Sequence, residues 1–146
     1  MELELKHLAP YLPYNVEIYY LGTDIDFETP KFIRTKLLGV KKDEHFSSIT
    51  FFFYLHGKSK EKTSYSKNPI KLILKPLSRL KQDKELIDEL DKISFGTFSE
   101  LYDIKNINKI PNILYQLLIE NHYDVFNLIE KGLAVDINTL SVQNGR

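Results

Sequence analysis

Four histidines, at positions 7, 45, 56 and 122, are the first candidates for chemistry in a chain of 146 residues that has no cysteine. A helical zinc site needs two histidines four residues apart on one face, with a carboxylate near them. No pair here has that spacing, and His122 and Asp124 would point in different directions on a helix. His122 therefore reads as a half-buried helix residue, and no metal site is expected. Covalent hydrolysis needs Ser or Thr beside a base and an orienting acid. The serines fall in loops, and no G-x-S-x-G elbow occurs. Glu85, Asp88, Glu89 and Asp91 read as one solvated helix face rather than an acid–base pair. Six glycines form neither G-x-G-x-x-G nor a Walker loop, so no nucleotide cofactor is indicated. Absence of Cys removes thiol nucleophiles, disulfide frameworks and cysteine-ligated metals. The expectation is a protein that is not an enzyme and carries no cofactor.

Charge and aromatic rings remain, and these point to binding. Formal net charge is zero, but it is segregated along the chain. Residues 1–30 carry −5, residues 31–84 carry +10 from fourteen Lys/Arg against four acids, and residues 85–146 carry −5. Such asymmetry speaks about partners rather than fold. Lys31, Arg34, Lys36, Lys41 and Lys42 lie on one stretch and its turn; Lys58, Lys60, Lys62 and Lys67 lie in the next connection; Lys71, Lys75, Arg79, Lys81 and Lys84 follow. A sheet face bearing Lys among exposed Phe or Tyr could track phosphates and stack bases. Equally, lysines guard sheet edges against unwanted pairing, and Lys outnumbers Arg 17 to 3, which removes most bidentate readout. The basic segment could also fold back on the acidic ends. Nine Tyr and nine Phe favour a protein interface as well, with Tyr11, Tyr14, Tyr19 and Tyr20 clustered in sequence. For each single Tyr, a place in the core or at an edge is the default.

The elements that must position these residues follow from periodicity. Residues 2–9 suit a short amphipathic helix with Leu5, Leu8 and Leu12 on its apolar side, and Pro10 and Pro13 then predict an extended exit. Strict alternation predicts strands at 16–22, 31–42 and 70–75. In the second of these, Phe32, Arg34 and Lys36 oppose Ile33, Thr35 and Leu37, so its solvent face is cationic. SITFFFYLHG (48–57) is apolar on both faces, as a central covered strand would be, and 58–69 reads as a polar connection. Asp24 and Asp26 after Gly22 mark a turn. From Pro76 onwards the pattern is helical, with Leu77, Leu80, Ile87, Leu90 and Ile93 on one stripe and a capping box at Thr97-x-x-Glu100. Pro111 opens a helix over 112–131 that Gly132 would close, and 133–140 is a short extended segment. The order predicts one α+β domain over 1–140, a small antiparallel sheet of about four strands (16–75) with C-terminal helices on one face, and a flexible tail at 141–146. A small closed barrel is the alternative. The acidic start MELELKHLAP is unlike a signal peptide, and the apolar run 51–55 is far short of the ~20 residues of a membrane span, so a soluble cytoplasmic protein is expected.

Three stretches carry a resemblance: LKHLAPYLPYNVEI (5–18), IKLILKPLSRL (70–80) and NHYDVFNLIEKGLAVDINTL (121–140). In order and spacing they resemble a family of small uncharacterised proteins of Bacteroidetes phages and prophages, and they cover about a third of the chain. Arg79 stands where an acidic residue is common, and 81–111 departs from the pattern. The family has no established activity, so it brings no site residues. The resemblance implies a mobile-element accessory protein acting in a bacterial cytoplasm. By analogy, such small proteins often bind a host machine, inhibitors of host immunity of the anti-CRISPR kind among them. The expected function is thus non-catalytic binding of a host protein or nucleoprotein. The alternative is a small phage nucleic-acid-binding protein using the basic 31–84 segment.

Overall fold

A computed structural model of the chain describes residues 3–22, 31–44, 48–55, 57–63, 69–93 and 112–144. The turn at Asp24 and Asp26, His45, His56, Lys67, the Thr97–Glu100 capping box and Pro111 lie outside the described residues.

The chain opens with α1 (Leu5–Leu8) and a 3-10 turn, Ala9–Tyr14. The expected extended exit is absent because Pro10 sits in the first turn of that 3-10 segment, where its missing N–H costs nothing. Asn15, in the left-handed region at φ 56°, then redirects the chain into the first strand. Six strands follow, β1 (Glu17–Gly22), β2 (Lys31–Lys42), β3 (Ile49–Leu55), β4 (Lys58–Thr63), β5 (Lys71–Leu74) and β6 (Ala134–Asp136). They form one sheet in the order β4-β3-β2-β1-β5-β6. The class is α+β, but the sheet has six strands rather than four, and it is mixed, since β5 and β6 run parallel.

β4 was legible only as a loop because its sequence, KSKEKT, alternates Lys with polar residues and offers no hydrophobic period. Leu55 pairs with Lys58, leaving a two-residue connection in which Gly57 takes φ 76°. That left-handed turn matches the twist of a hairpin and fixes the register. The strand covered on both sides is β5, with Leu72, Ile73 and Leu74 all buried. It is not β3, where Tyr54 is exposed and only Ile49, Phe51 and Phe53 are buried. A parallel partner for β5 requires a long crossover, and the helices supply it.

The crossover starts with a 3-10 turn, Leu77–Gln82, followed by α2 (Lys84–Ile93). Asp83 separates the two, its carboxylate accepting the Leu86 N–H at 3.2 Å. Because the helix restarts there, its buried face is Leu86 and Leu90, four residues apart, rather than one stripe continuing from Leu77 through Ile87. Next, α3 (Asn112–Glu120) buries Leu114, Leu118 and Ile119. It stops at Glu120, well before the expected residue 131. His122 and Asn127 adopt φ 62° and 59°, and Asp124 turns its carboxylate to the N–H groups of Leu128 (2.7 Å) and Ile129 (2.8 Å). Asn, His and Asp favour turns in this way, and here they outweigh a helical apolar pattern. Gly132, at φ 75°, closes that turn region rather than a helix. After β6, α4 (Ile137–Asn144) carries helical backbone into the segment expected to fray.

One cluster joins the inner side of the sheet (Ile18, Tyr20, Ile33, Leu37, Phe51, Phe53, Leu72, Leu74) to Leu8 and Tyr11, to Leu80, Leu86 and Leu90, and to Leu114 and Leu118. α2 and α3 therefore pack on this face. Ile73 and Leu140 are buried outside this cluster, so the β5 end of the opposite face is closed too.

The segment after α3 is tied down by buried polar groups. The Tyr11 hydroxyl donates to the Tyr123 carbonyl (2.6 Å) and accepts the Val125 N–H (3.3 Å). The Tyr123 hydroxyl donates to Asp83 (2.8 Å), and His122 Nε2–H donates to the Tyr14 carbonyl (2.6 Å). Lys75 N–H reaches the His122 carbonyl and Asp124 N–H the Lys75 carbonyl, each at 2.9 Å. Burial pushes the Tyr11 and Tyr123 phenols up, so both remain donors. Tyr11→Phe keeps the ring but removes two buried hydrogen bonds, one to the Tyr123 carbonyl and one from the Val125 N–H. It should lower stability by about 1–3 kcal/mol in urea unfolding, whereas Lys60→Ala on the exposed edge strand should stay within about 0.5 kcal/mol.

Candidate functional site

Side chains two apart along a strand share a face, and residues directly opposite in register do too. In the β1–β2 pair, Tyr20 opposes Ile33 and Ile18 opposes Thr35 on the covered side. Glu17 opposes Lys36, Tyr19 opposes Arg34 and Leu21 opposes Phe32 on the other. The second face is open over β1–β3. Phe32 is 62% exposed and Tyr54 55%, and Arg34 and Lys36 are exposed between them.

A bulge between Leu37 and Gly39 shapes this face. β2 pairs with β1 through its first half and with β3 through its second, and the extra residue, Leu38, is 50% exposed. Bulges bend a strand and re-aim its side chains. Beyond it, Lys41 opposes Thr50, the neighbour of buried Phe51, and so continues the open face. Thr50 and Thr63 share a hydroxyl hydrogen bond at 3.1 Å on that side.

Two contacts organise the open face. Tyr19 and Phe32 stack with ring centroids 4.9 Å apart and planes within 7°. Arg34 grips Glu17 through both carboxylate oxygens, at 2.8 Å each. That bidentate bond holds the Glu17 carboxyl below the ordinary carboxylate range and raises the Arg34 guanidinium in turn.

The ten sequence candidates are not brought together. Arg34, Lys36, Lys41 and Lys71 occupy open-face positions, Lys71 being opposite Tyr19 and half-buried. Lys31 opens β2 opposite Gly22. Lys58, Lys60 and Lys62 oppose Leu55, Phe53 and Phe51, and Lys42 opposes Ile49, which assigns all four to the covered side of the sheet. Lys62 lies over the Tyr20 ring at 5.1 Å, and Lys75 over the Tyr123 ring at 5.3 Å. Arg79, Lys81 and Lys84 are exposed around the start of α2. One acidic end does fold back on the basic segment, since Glu17 neutralises Arg34.

The Tyr cluster divides in the same way. Tyr11 and Tyr20 are core residues, Tyr14 and Tyr19 are half-buried, and among the described residues the exposed rings are Phe32 and Tyr54. Phe32 was legible, because it alternates in phase with Arg34 and Lys36. Tyr54 was not, because FFFYL has no polar phase to orient it. His122 is half-buried as expected, but in a turn. Among the described residues no three His, Asp or Glu side chains gather into a metal site, and no helix is long and apolar enough to cross a membrane. What the open face offers is flat apolar area beside cations.

Comparison with protein-family models, with curated proteins and with solved structures finds nothing that matches this chain.

Because Arg34 depresses the Glu17 pKa, the pair's contribution is present above the unfolded carboxylate's pKa and is lost as pH falls through the lower folded value. Wild type should exceed Glu17→Gln in stability by about 0.5 kcal/mol near pH 7, as exposed pairs do. Thermal melts of the two should converge as pH falls below about 4.

Proposed function

We propose that this is a non-catalytic accessory protein of a phage or other mobile element, and that it docks on a host protein or nucleoprotein through the open face of its sheet. Its place among inhibitors of host immunity, the anti-CRISPR kind included, is part of the same proposal and rests on the resemblance of the three sequence blocks. The observation that carries the docking is the strip along β2. Three of the four exposed large apolar residues among those described, Phe32, Leu38 and Tyr54, lie on this one face, with Lys36 and Lys41 beside them. Scattered exposed apolar residues need no explanation, but a group on one face rimmed by cations has the composition of an interface. Tyr and Phe present large rigid area at small entropic cost, which suits anchors.

The test is capture from lysate of the natural host, with and without nuclease, using wild type and two variants. Phe32→Ser/Leu38→Ser/Tyr54→Ser should reduce recovery of the wild-type partner by at least about tenfold, the loss expected when anchor residues are removed. Lys58→Glu/Lys60→Glu, on the edge strand and the other side, should recover it normally. A triple variant that is folded by thermal melt and still captures the partner would show that the open face is not the docking surface.

A further inference from the structure

The Tyr19–Phe32 pair has a geometry that narrows the partner. Two rings lie flat on one another, planes within 7° and centroids 4.9 Å apart, while Phe32 remains 62% exposed. An exposed ring at the end of a stack offers an uncovered π face, and a flat ligand can extend it. Aliphatic side chains of a protein partner gain nothing particular from that flatness, whereas a nucleobase does, because every base has a π face.

The charges fit the same ligand. Lys36 and Lys41 follow Phe32 along β2, about 13 and 30 Å further on at strand rise. Neither has an ion-pair partner among the described residues. Tyr54 is exposed on the neighbouring strand, and the register Leu37–Phe53, extended by one residue, puts it opposite Lys36. Along β2 the order is therefore Phe32, then Lys36 with Tyr54 beside it, then Lys41. Of the two carboxylates on this face of β1–β4, Glu17 is cancelled by the bidentate Arg34, and Glu61 lies on the edge strand β4, opposite Phe52 and away from Phe32.

We infer that the open face takes single-stranded nucleic acid, with a base stacked on Phe32 and phosphates following Lys36 and Lys41. This rests on the reading of that face as the docking surface. Recognition is independent of sequence, since the free cations are lysines, which cannot fork onto a base edge as Arg does. A duplex is a poorer ligand, because its bases are already stacked and cannot reach Phe32.

Fluorescein-labelled oligo-dT and oligo-U of about 12 nucleotides, within the reach of a small domain, test this by anisotropy. Wild type should bind both saturably at low salt and bind a duplex of equal length more weakly. With Lys36, Lys41 and Lys71 at phosphates, the log–log salt slope should be about −2, at ~0.7 per single-strand contact. Phe32→Ala should weaken binding about tenfold, the scale of one stacked base, and Phe32→Tyr should restore it. Lys36→Gln/Lys41→Gln should flatten the slope by about 1.4, while Lys58→Gln/Lys60→Gln leaves it unchanged. No retention of either strand, preference for the duplex, or full binding by Phe32→Ala would overturn the inference. The lysate experiment separates the two levels. Nuclease-resistant capture that the Phe32→Ser/Leu38→Ser/Tyr54→Ser variant loses, without oligonucleotide binding, overturns the nucleic-acid inference and leaves the docking face standing. If that variant loses neither, both fall.

Discussion

A strand with a parallel neighbour cannot be reached by a hairpin; the chain must leave the sheet and return along one of its faces. The pairing of β5 with β6 imposes this here, and most of the architecture answers to it. The crossover brings α2 and α3 back over the sheet, and Leu86, Leu90, Leu114 and Leu118 join the inward side chains of β1, β2, β3 and β5 in one cluster. The return is held by Tyr11, whose hydroxyl serves both the Tyr123 carbonyl and the Val125 N–H before β6 begins. Its partners come from more than a hundred residues away in sequence. Such a contact constrains the late segment only once the early one is in place. With α2 and α3 on one side, no described element packs over the other face at β1–β3.

The uncovered face is sorted by the two-residue period of the strand. Charge that is contiguous in sequence is divided between faces wherever the backbone is extended. In β2 the alternation sends Arg34 and Lys36 outward, and the bulge at Leu37/Gly39 resets the phase so that Lys41 rather than Lys42 continues the line. An unbulged strand would put even-numbered Lys42 there instead. The basic segment of 31–84 is thus several small groups with different neighbours, and only one of them shares a face with exposed rings.

How much of this was legible in the sequence follows from the same physics. β1 and β2 were, because apolar and polar residues alternate there and one face is buried, and β5 was because Lys71 and Lys75 bracket its apolar residues in phase, although both its faces are covered. The cationic outer face of β2 was legible for the same reason. β4 was not, since its period is carried by Lys against Ser, Glu and Thr, a pattern that says strand only when burial is ignored. The end of α3 was hidden because Val125, Leu128 and Ile129 continue a helical apolar spacing, while their burial is achieved by turns that Asp124 caps. Parallel pairing of a three-residue strand leaves no local trace at all. On the open face, the cations and Phe32 could be read from phase. Tyr54 and Leu38 needed the register and the bulge.

The lysines that do not join the open face have a physical account of their own. β4 is an edge strand, and an exposed edge is a template for pairing with a second copy. In an antiparallel pair of identical strands, opposing residues must share a face, so even-numbered positions meet even-numbered ones in every register. In β4 the even positions are Lys58, Lys60 and Lys62, and any such pairing therefore sets lysine against lysine. Like charges directly opposite are destabilising. The row blocks edge-to-edge association regardless of slippage, a property that a mixed-charge edge would lack. It does so from the covered side of the sheet, leaving the open face to Phe32, Tyr54, Lys36 and Lys41. The β4 lysines thus oppose self-pairing at the edge, while Lys36 and Lys41 lie on the face that carries Phe32 and Tyr54.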